Sequence, residues 1–193
     1  MPGSSLWLLP PTDHSLSTPL PLLIDKTSAH FKSQHRFLPH VTLTSDISPS
    51  SYSSEPQKWL DSLNLQLDIK VRVSFEKLES QDVFFRKLYI KCDKHDGLKR
   101  LALRSRQQVD GYGEVGKAET WVKEEYTPHL SLLYHDCPQI DSEGLSPVEG
   151  FADTIGINLN GEGDLGGWEG GRVVLVPTYR PIEEWKPIAE RSL

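Results

Sequence analysis

Two short stretches of this 193-residue chain repeat one pattern. Phe37-Leu38-Pro39-His40-Val41-Thr42-Leu43 and Tyr126-Thr127-Pro128-His129-Leu130-Ser131-Leu132 each read aromatic, any, Pro, His, aliphatic, hydroxyl, Leu. A histidine followed two residues later by Ser or Thr is common. Agreement that also covers the preceding Pro, the aromatic and the final Leu is not, and it argues against two unrelated edge strands that happen to begin with Pro. In a strand, residues i and i+2 share a face. His40 then projects with Thr42, and His129 with Ser131, while Val41, Leu43, Leu130 and Leu132 face a core. Proline just before each His suits a strand start, where a ladder N–H is dispensable.

If the two strands lie side by side about a pseudo-twofold axis, two imidazoles and two hydroxyls converge on one cleft. Such a cleft fits phosphodiester hydrolysis. A neutral imidazole can take a proton from water and a protonated one can give a proton to the leaving oxygen, because the unperturbed pKa of about 6.5 lies near neutrality. Hydroxyls can donate to the non-bridging oxygens, where charge must be stabilised.

Other motifs fail. Gly111-Tyr-Gly113-Glu-Val-Gly116 and Gly161-Glu-Gly163-Asp-Leu-Gly166 match GxGxxG, but neither follows a strand and opens a helix, and Glu162 and Asp164 would repel a pyrophosphate. No P-loop and no GxSxG elbow occurs. His30 and His35 do not stack on one helix face, and His135-Asp136 is a lone pair, so no metal site is expected. Cys92 and Cys137 are too few for a four-thiolate site or a disulfide framework, and read as two reduced, buried thiols. The net charge of −6, with no block of Lys or Arg, argues against a polymeric nucleic acid held along its backbone. It leaves room for a small anion in a local pocket.

The elements that must position the motifs read as α+β with antiparallel sheet. Ser5–Pro10 is a strand, and its apolar start lacks the basic lead of a signal peptide. Ser17 or Thr18 caps a helix running to Phe31. Phe37–Asp46 is a strand, and the six serines within 45–54 mark a polar surface loop. Glu55–Leu63 is a short helix. Asp68–Leu78 and Val83–Cys92 alternate and form a hairpin. Gly97–Val109 is an amphipathic helix whose cations, Lys99, Arg100, Arg104 and Arg106, read as a solvated face. Gly111–Glu125 is an irregular link, Tyr126–Tyr134 a strand, Phe151–Leu159 helix or strand, Gly161–Gly171 a Gly-rich turn and Arg172–Tyr179 a final strand. No stretch is apolar enough to cross a membrane.

The paired motifs resemble the two-histidine phosphoesterase superfamily. Trp7-Leu8-Leu9-Pro10, the strand Phe85-Arg86-Lys87-Leu88-Tyr89-Ile90 and His129-Leu130-Ser131-Leu132-Leu133-Tyr134 are similar to its plant and fungal cyclic phosphodiesterases. The resemblance runs from Trp7 to about Pro177. It implies one bilobal domain over 1–193, with two antiparallel sheets facing a water-filled cleft and helices outside. It also implies metal-independent, cofactor-free hydrolysis of nucleoside 2′,3′-cyclic phosphates to 2′-phosphates, and of ADP-ribose 1″,2″-cyclic phosphate from tRNA splicing. Carried over by motif, His129 would activate water and His40 would protonate the leaving oxygen, though the sequence alone allows the reverse. Thr42 and Ser131 would hold the phosphate. Trp7 matches the family's base-stacking Trp, against the alternative of a core residue.

Tyr134 matches a cleft Tyr, yet alternation puts it opposite His129 unless a strand end or bulge intervenes. Thr44 shares the face of His40 and reads more simply as an exposed strand residue. A small cyclic nucleotide is the expected partner and a monomer the expected state. The compartment reads as intracellular, with Golgi association implied by the fungal relatives. The competing readings are an RNA-end-processing or 2′-5′ RNA ligase-like member of the superfamily and a non-catalytic nucleotide-binding relative. The Ser-rich 45–54, 110–125 and 161–171 stretches align with no family motif.

Overall fold

The computed structural model describes residues 3–65, 67–114 and 116–193. Strand β1 (Ser4–Leu9) is buried along its whole length, which is why Leu6 to Leu9 read as an unbroken apolar run rather than an alternating one. Helix α1 (Pro19–His30) starts with proline in its first turn and buries Leu20, Leu23, Ile24 and Thr27 at helical spacing. Strand β2 (Val41–Ile47) follows an extended approach from Phe37 to His40. The serine-rich stretch is not all loop. Ser48 accepts a bond from the Ser50 N–H and opens a one-turn helix, α2 (Pro49–Tyr52), whose Tyr52 is buried against the Ser4 hydroxyl at 2.9 Å. Helix α3 (Pro56–Ser62) comes next.

Strands β3 (Arg72–Glu79) and β4 (Leu88–Cys92) pair antiparallel, as the alternation predicts, with a 3₁₀ turn at Phe84–Arg86 between them. Helix α4 (Asp96–Arg106) precedes α5 (Lys117–Glu124), which lies inside the stretch read as an irregular link. Its three glycines hide a usable start signal. The Glu119 carboxylate accepts from the Gly116 N–H at 2.9 Å, and Ala118 and Val122 are buried four residues apart. Strand β5 (His129–Leu133) leads to α6 (Ser142–Ile155), of which the sequence shows only the tail because Gly144, Pro147 and Gly150 interrupt it. Asp141 caps α6 by accepting from the Gly144 N–H at 3.0 Å, and Gly156 ends it at φ 89°. Strands β6 (Gly167–Glu169), β7 (Arg172–Val176) and β8 (Ala189–Ser192) complete the fold. Residues 167–169 fall in the expected turn and are recruited to the edge of β3.

The eight strands form one antiparallel order, β6-β3-β4-β5-β2-β1-β7-β8. Two four-strand halves meet where β5 joins β2, and that junction is a single registered pair, Val41 opposite Leu130. The faces divide cleanly. Leu6, Leu8, Val41, Leu43, Leu130, Leu132, Val173 and Leu175 point into the main core, where Leu20, Leu23, Leu98, Leu101 and Val148 from the helices meet them. A smaller cluster of Trp7, Leu9, Tyr134, Val174, Val176 and Trp185 lies on the opposite side. Cys92 is buried, Cys137 half-buried, and both thiols are free.

Candidate active site

The junction pair sets the geometry of both histidine motifs. With Val41 opposite Leu130, the antiparallel register puts His40 opposite Ser131 and Thr42 opposite His129. Each imidazole therefore lies beside the other motif's hydroxyl, and a local twofold axis runs through the Val41–Leu130 pair. The two histidines are diagonal neighbours on one face, a relation that places Cβ atoms roughly 7–8 Å apart. Trp7 lies opposite Thr42 on the other side of β2, and Tyr89 lies opposite Ser131 on the other side of β5.

Each imidazole is held by the same local device. His40 Nδ1 lies 2.5 Å from the carbonyl of Leu38, and His129 Nδ1 lies 2.8 Å from the carbonyl of Thr127. The intervening Pro39 and Pro128 fix φ and restrict the residue before them to extended backbone, so the turn that brings each carbonyl to its ring is preorganised. A carbonyl only accepts, so Nδ1 must carry hydrogen. Each neutral ring thus keeps its Nε2 lone pair for other work.

Burial pushes both rings far below the ordinary imidazole range, His40 to about 3 and His129 to about 4. The carbonyl partners oppose this shift. The neighbouring His129 adds to it at His40, and Arg86 adds to it at His129. One contact acts in the other sense at His40. The ring lies flat on the indole of Trp7, with centroids 3.6 Å apart and planes 9° from parallel, a face that attracts an imidazolium.

A cavity of about 390 Å³ opens over this face, and all six residues singled out from the sequence line it: His40, His129, Thr42, Ser131, Trp7 and Tyr134. This volume lies within the usual range for small-molecule sites. Thr42 is half-buried, and its hydroxyl has no partner among the described residues. Ser131 Oγ donates to the Phe85 carbonyl at 3.1 Å. Tyr134 reaches the cavity because the β4–β5 register slips by one residue between the pairs Leu88–Leu133 and Tyr89–Ser131, the bulge that its position requires. It stacks on Phe37 at 3.9 Å, and burial pushes its phenol well above the usual range, leaving it a proton donor. Trp7 is only 1% exposed, and one of its faces is occupied by His40. It packs in the smaller core cluster and lines the cavity.

Thr44 is the clearest departure from the sequence reading. It is 1% exposed, lines the cavity and accepts a bond from Arg106 at 3.3 Å. Arg106, expected on a solvated helix face, is 8% exposed and lines the cavity as well. Its guanidinium carbon sits 3.8 Å from the ring centre of Tyr112 and 4.6 Å from that of Trp121. Trp185 was also missed. It meets Trp7 edge-on at 5.9 Å and stacks on Phe85 at 5.8 Å. Its signal is weak because it follows the last recognisable strand with no periodicity around it. Among the described residues, no group of three or more His, Cys, Asp or Glu side chains is placed to hold a metal ion, and no helix is long and apolar enough to cross a membrane.

Known proteins are similar to this sequence from end to end. A protein of Phaeosphaeria nodorum named 2′,3′-cyclic-nucleotide 3′-phosphodiesterase is 63% identical over 193 residues, covering the whole of both chains. A Neurospora crassa protein of the same name is 39% identical over 213 aligned residues, again covering both chains fully. A Yarrowia lipolytica protein, also so named, is 28% identical over 98% of this chain and 99% of its own. The family model described as cyclic phosphodiesterase-like protein matches residues 1–193, and the chain belongs to that family, a branch of the two-histidine phosphoesterase superfamily.

Proposed function

We propose that this chain hydrolyses nucleoside 2′,3′-cyclic phosphates to nucleoside 2′-phosphates, with His40 and His129 as the catalytic pair. The observation that carries the reading is the single registered pair at the strand junction. It sets each imidazole beside the other motif's hydroxyl in one cavity. In the reaction, His129 Nε2 takes a proton from a water molecule, whose oxygen forms a bond to phosphorus. The P–O3′ bond breaks, and the 3′-oxygen leaves with a proton from His40 Nε2. The phosphate stays on the 2′-oxygen. Thr42 and the Tyr134 phenol donate to the non-bridging oxygens, where charge builds, and Ser131 joins them by turning its one hydroxyl hydrogen from the Phe85 carbonyl to the phosphate.

The direction is the one the family resemblance implies; in the empty site burial sets His40, at about 3, below His129, at about 4, and two contacts act against that order. The Trp7 face under His40 supports an imidazolium there, whereas the Arg86 charge disfavours one at His129. The cyclic phosphate anion, once bound between the rings, raises both and allows His40 to hold the proton. We read the two four-strand halves, β6-β3-β4-β5 and β2-β1-β7-β8, as the lobes of a single domain over residues 1–193, with the cavity between them. A cavity of this size on a chain of net charge −6 suits a mononucleotide better than a polymer end.

The test is turnover of adenosine 2′,3′-cyclic phosphate, with the product identified by chromatography against 2′-AMP and 3′-AMP. Formation of 2′-AMP is expected. Replacing either His40 or His129 by Ala should lower kcat by about 10²–10⁴-fold. Activity that survives both replacements, or release of 3′-AMP, would refute the assignment.

A further inference from the structure

Arg106 is a buried cation that the hydrolysis just described does not use. It sits at the last turn of α4 and is 8% exposed. Among the described residues only Nη1 forms hydrogen bonds, to Thr44 Oγ1 and to the Ser45 carbonyl, each at 3.3 Å. Its Nε is buried and has no hydrogen-bond partner. Asp46 and Glu125 line the same cavity, yet neither pairs with Arg106, and no carboxylate among the described residues forms an ion pair with it. Tyr112 and Trp121 clasp the guanidinium, and Tyr126 backs Trp121 at 5.3 Å, so the group is rigidly placed. A cation withdrawn from water without an anion is costly to keep. The ring contacts offset part of that cost and leave the charge itself unmatched.

Its position says what could match it. His40 and Thr42 share one face of β2, a register slip follows that sets Thr44 opposite Leu6, and Arg106 is anchored at Thr44 and at the Ser45 carbonyl. Thr42 and Ser131 straddle the Val41–Leu130 pair, three residues before Thr44, so the anchor of the guanidinium lies on the order of 10 Å along the cavity from the site that receives the cyclic phosphate. A ribose that carries a phosphoryl group on its 5′-oxygen, together with one hydrogen bond of about 3 Å, spans that gap. We propose that Arg106 is a specificity-determining residue that binds a second phosphoryl group, carried on the 5′-oxygen of the ribose whose 2′,3′-cyclic phosphate is hydrolysed. The inference rests on the hydrolase reading for the orientation of the sugar. The favoured substrate is then a 5′-phosphorylated nucleoside cyclic phosphate, the form left when a nuclease that cuts to a cyclic phosphate trims a 5′-phosphorylated end to a single nucleotide.

The experiment compares adenosine 2′,3′-cyclic phosphate with its 5′-phosphorylated counterpart on the wild type, R106Q and R106K. The wild type should prefer the 5′-phosphorylated substrate by about tenfold to a hundredfold in kcat/KM, mainly through KM, as hydrogen bonds to a charged group warrant. The ratio should fall to near unity in R106Q and stay intermediate in R106K. Equal treatment of the two substrates by the wild type, or a ratio that R106Q leaves intact while both rates drop, overturns the proposal. A second measurement needs no variant and no turnover. Calorimetry on the wild type should show adenosine 2′,5′-bisphosphate binding more tightly than 2′-AMP, and equal affinities overturn the proposal. If neither cyclic substrate is hydrolysed, the hydrolase reading falls, while the calorimetric comparison still decides the role of Arg106.

Discussion

Raising the pH from 5 to 8 should lower kcat/KM for adenosine 2′,3′-cyclic phosphate about tenfold per unit, while the fall in kcat sets in about 1–3 units higher. The productive free enzyme holds one proton on the imidazole pair. In the empty cavity the rings titrate at about 3 and about 4, because both are buried. Above pH 4 the singly protonated form declines tenfold per unit, to roughly one molecule in 10³–10⁴ at pH 7. The bound cyclic phosphate places a negative charge between the rings, and an opposite charge at such range raises a pKa by about 1–3 units. The descending limb of kcat, which reports the complex, should therefore lie about 1–3 units above that of kcat/KM, which reports the free enzyme. The assay is initial rates across pH 4–9 at constant ionic strength, with kcat and KM resolved at each point. A kcat/KM profile that is flat from pH 5 to 8, or a bell centred near 6.5, would show that the free-enzyme rings are not held neutral by burial.

The same burial bears on folding. Both histidines have folded pKa values below the unfolded value of 6.5, so the unfolded chain binds more protons as pH falls, and stability is greatest above 6.5. Between pH 6.5 and 4 the pair should cost up to about 3 kcal/mol per pH unit, read by urea unfolding, and the H40Q/H129Q double variant should show a visibly flatter slope. Trp7→Leu removes the flat contact under His40, and should lower kcat more than it raises KM and depress the descending limb of the kcat profile. A pure rise in KM would mean that Trp7 serves binding alone. Leu130→Ala empties a fully buried site at the junction pair, and should cost about 2–5 kcal/mol by chemical denaturation, with loss of turnover alongside. Asp141→Ala removes the cap of α6, and should cost about 1 kcal/mol with no change in kcat/KM.

The site was legible where period-two alternation and a repeated motif coincide. Val41, Leu43, Leu130 and Leu132 face the core and His40, Thr42, His129 and Ser131 face the cavity, because a strand gives side chains no other choice. Tyr134 was placed only conditionally, since a one-residue slip in pairing depends on the partner strand and leaves no mark on β5 alone. Helices α5 and α6 were missed for a different reason. Gly111, Gly113 and Gly116, and then Gly144, Pro147 and Gly150, are strong breakers locally, and packing of Ala118, Val122, Val148 and Ala152 outweighs them. Arg106 shows the limit most plainly. Arg104 and Arg106 point to opposite sides of α4, and Arg106 continues the buried stripe of Leu98 and Ala102, a helical signal that its charge masks; Thr44, Tyr112 and Trp121 then hold it inward.

A cavity that holds both of its titrating groups neutral has a consequence for selectivity. Charging His40 in the empty site means placing an imidazolium among Trp7, Phe37 and Tyr134 with a second imidazole beside it. A neutral ligand would leave that cost unmet, and the acid required for P–O3′ cleavage would be absent. An anion meets it in part, so the group that undergoes the chemistry also creates the protonation state that the chemistry needs. Phosphate binding and proton uptake are then one event. At pH 5, where the empty pair is almost wholly neutral and the complex titrates about 1–3 units higher, binding of 2′-AMP should draw roughly half to one proton from the buffer, and calorimetry in buffers of different ionisation enthalpy reads that number directly. An uptake near zero would mean that the proton on His40 is already present before the anion arrives, and that the neutral pair described above is not the resting state.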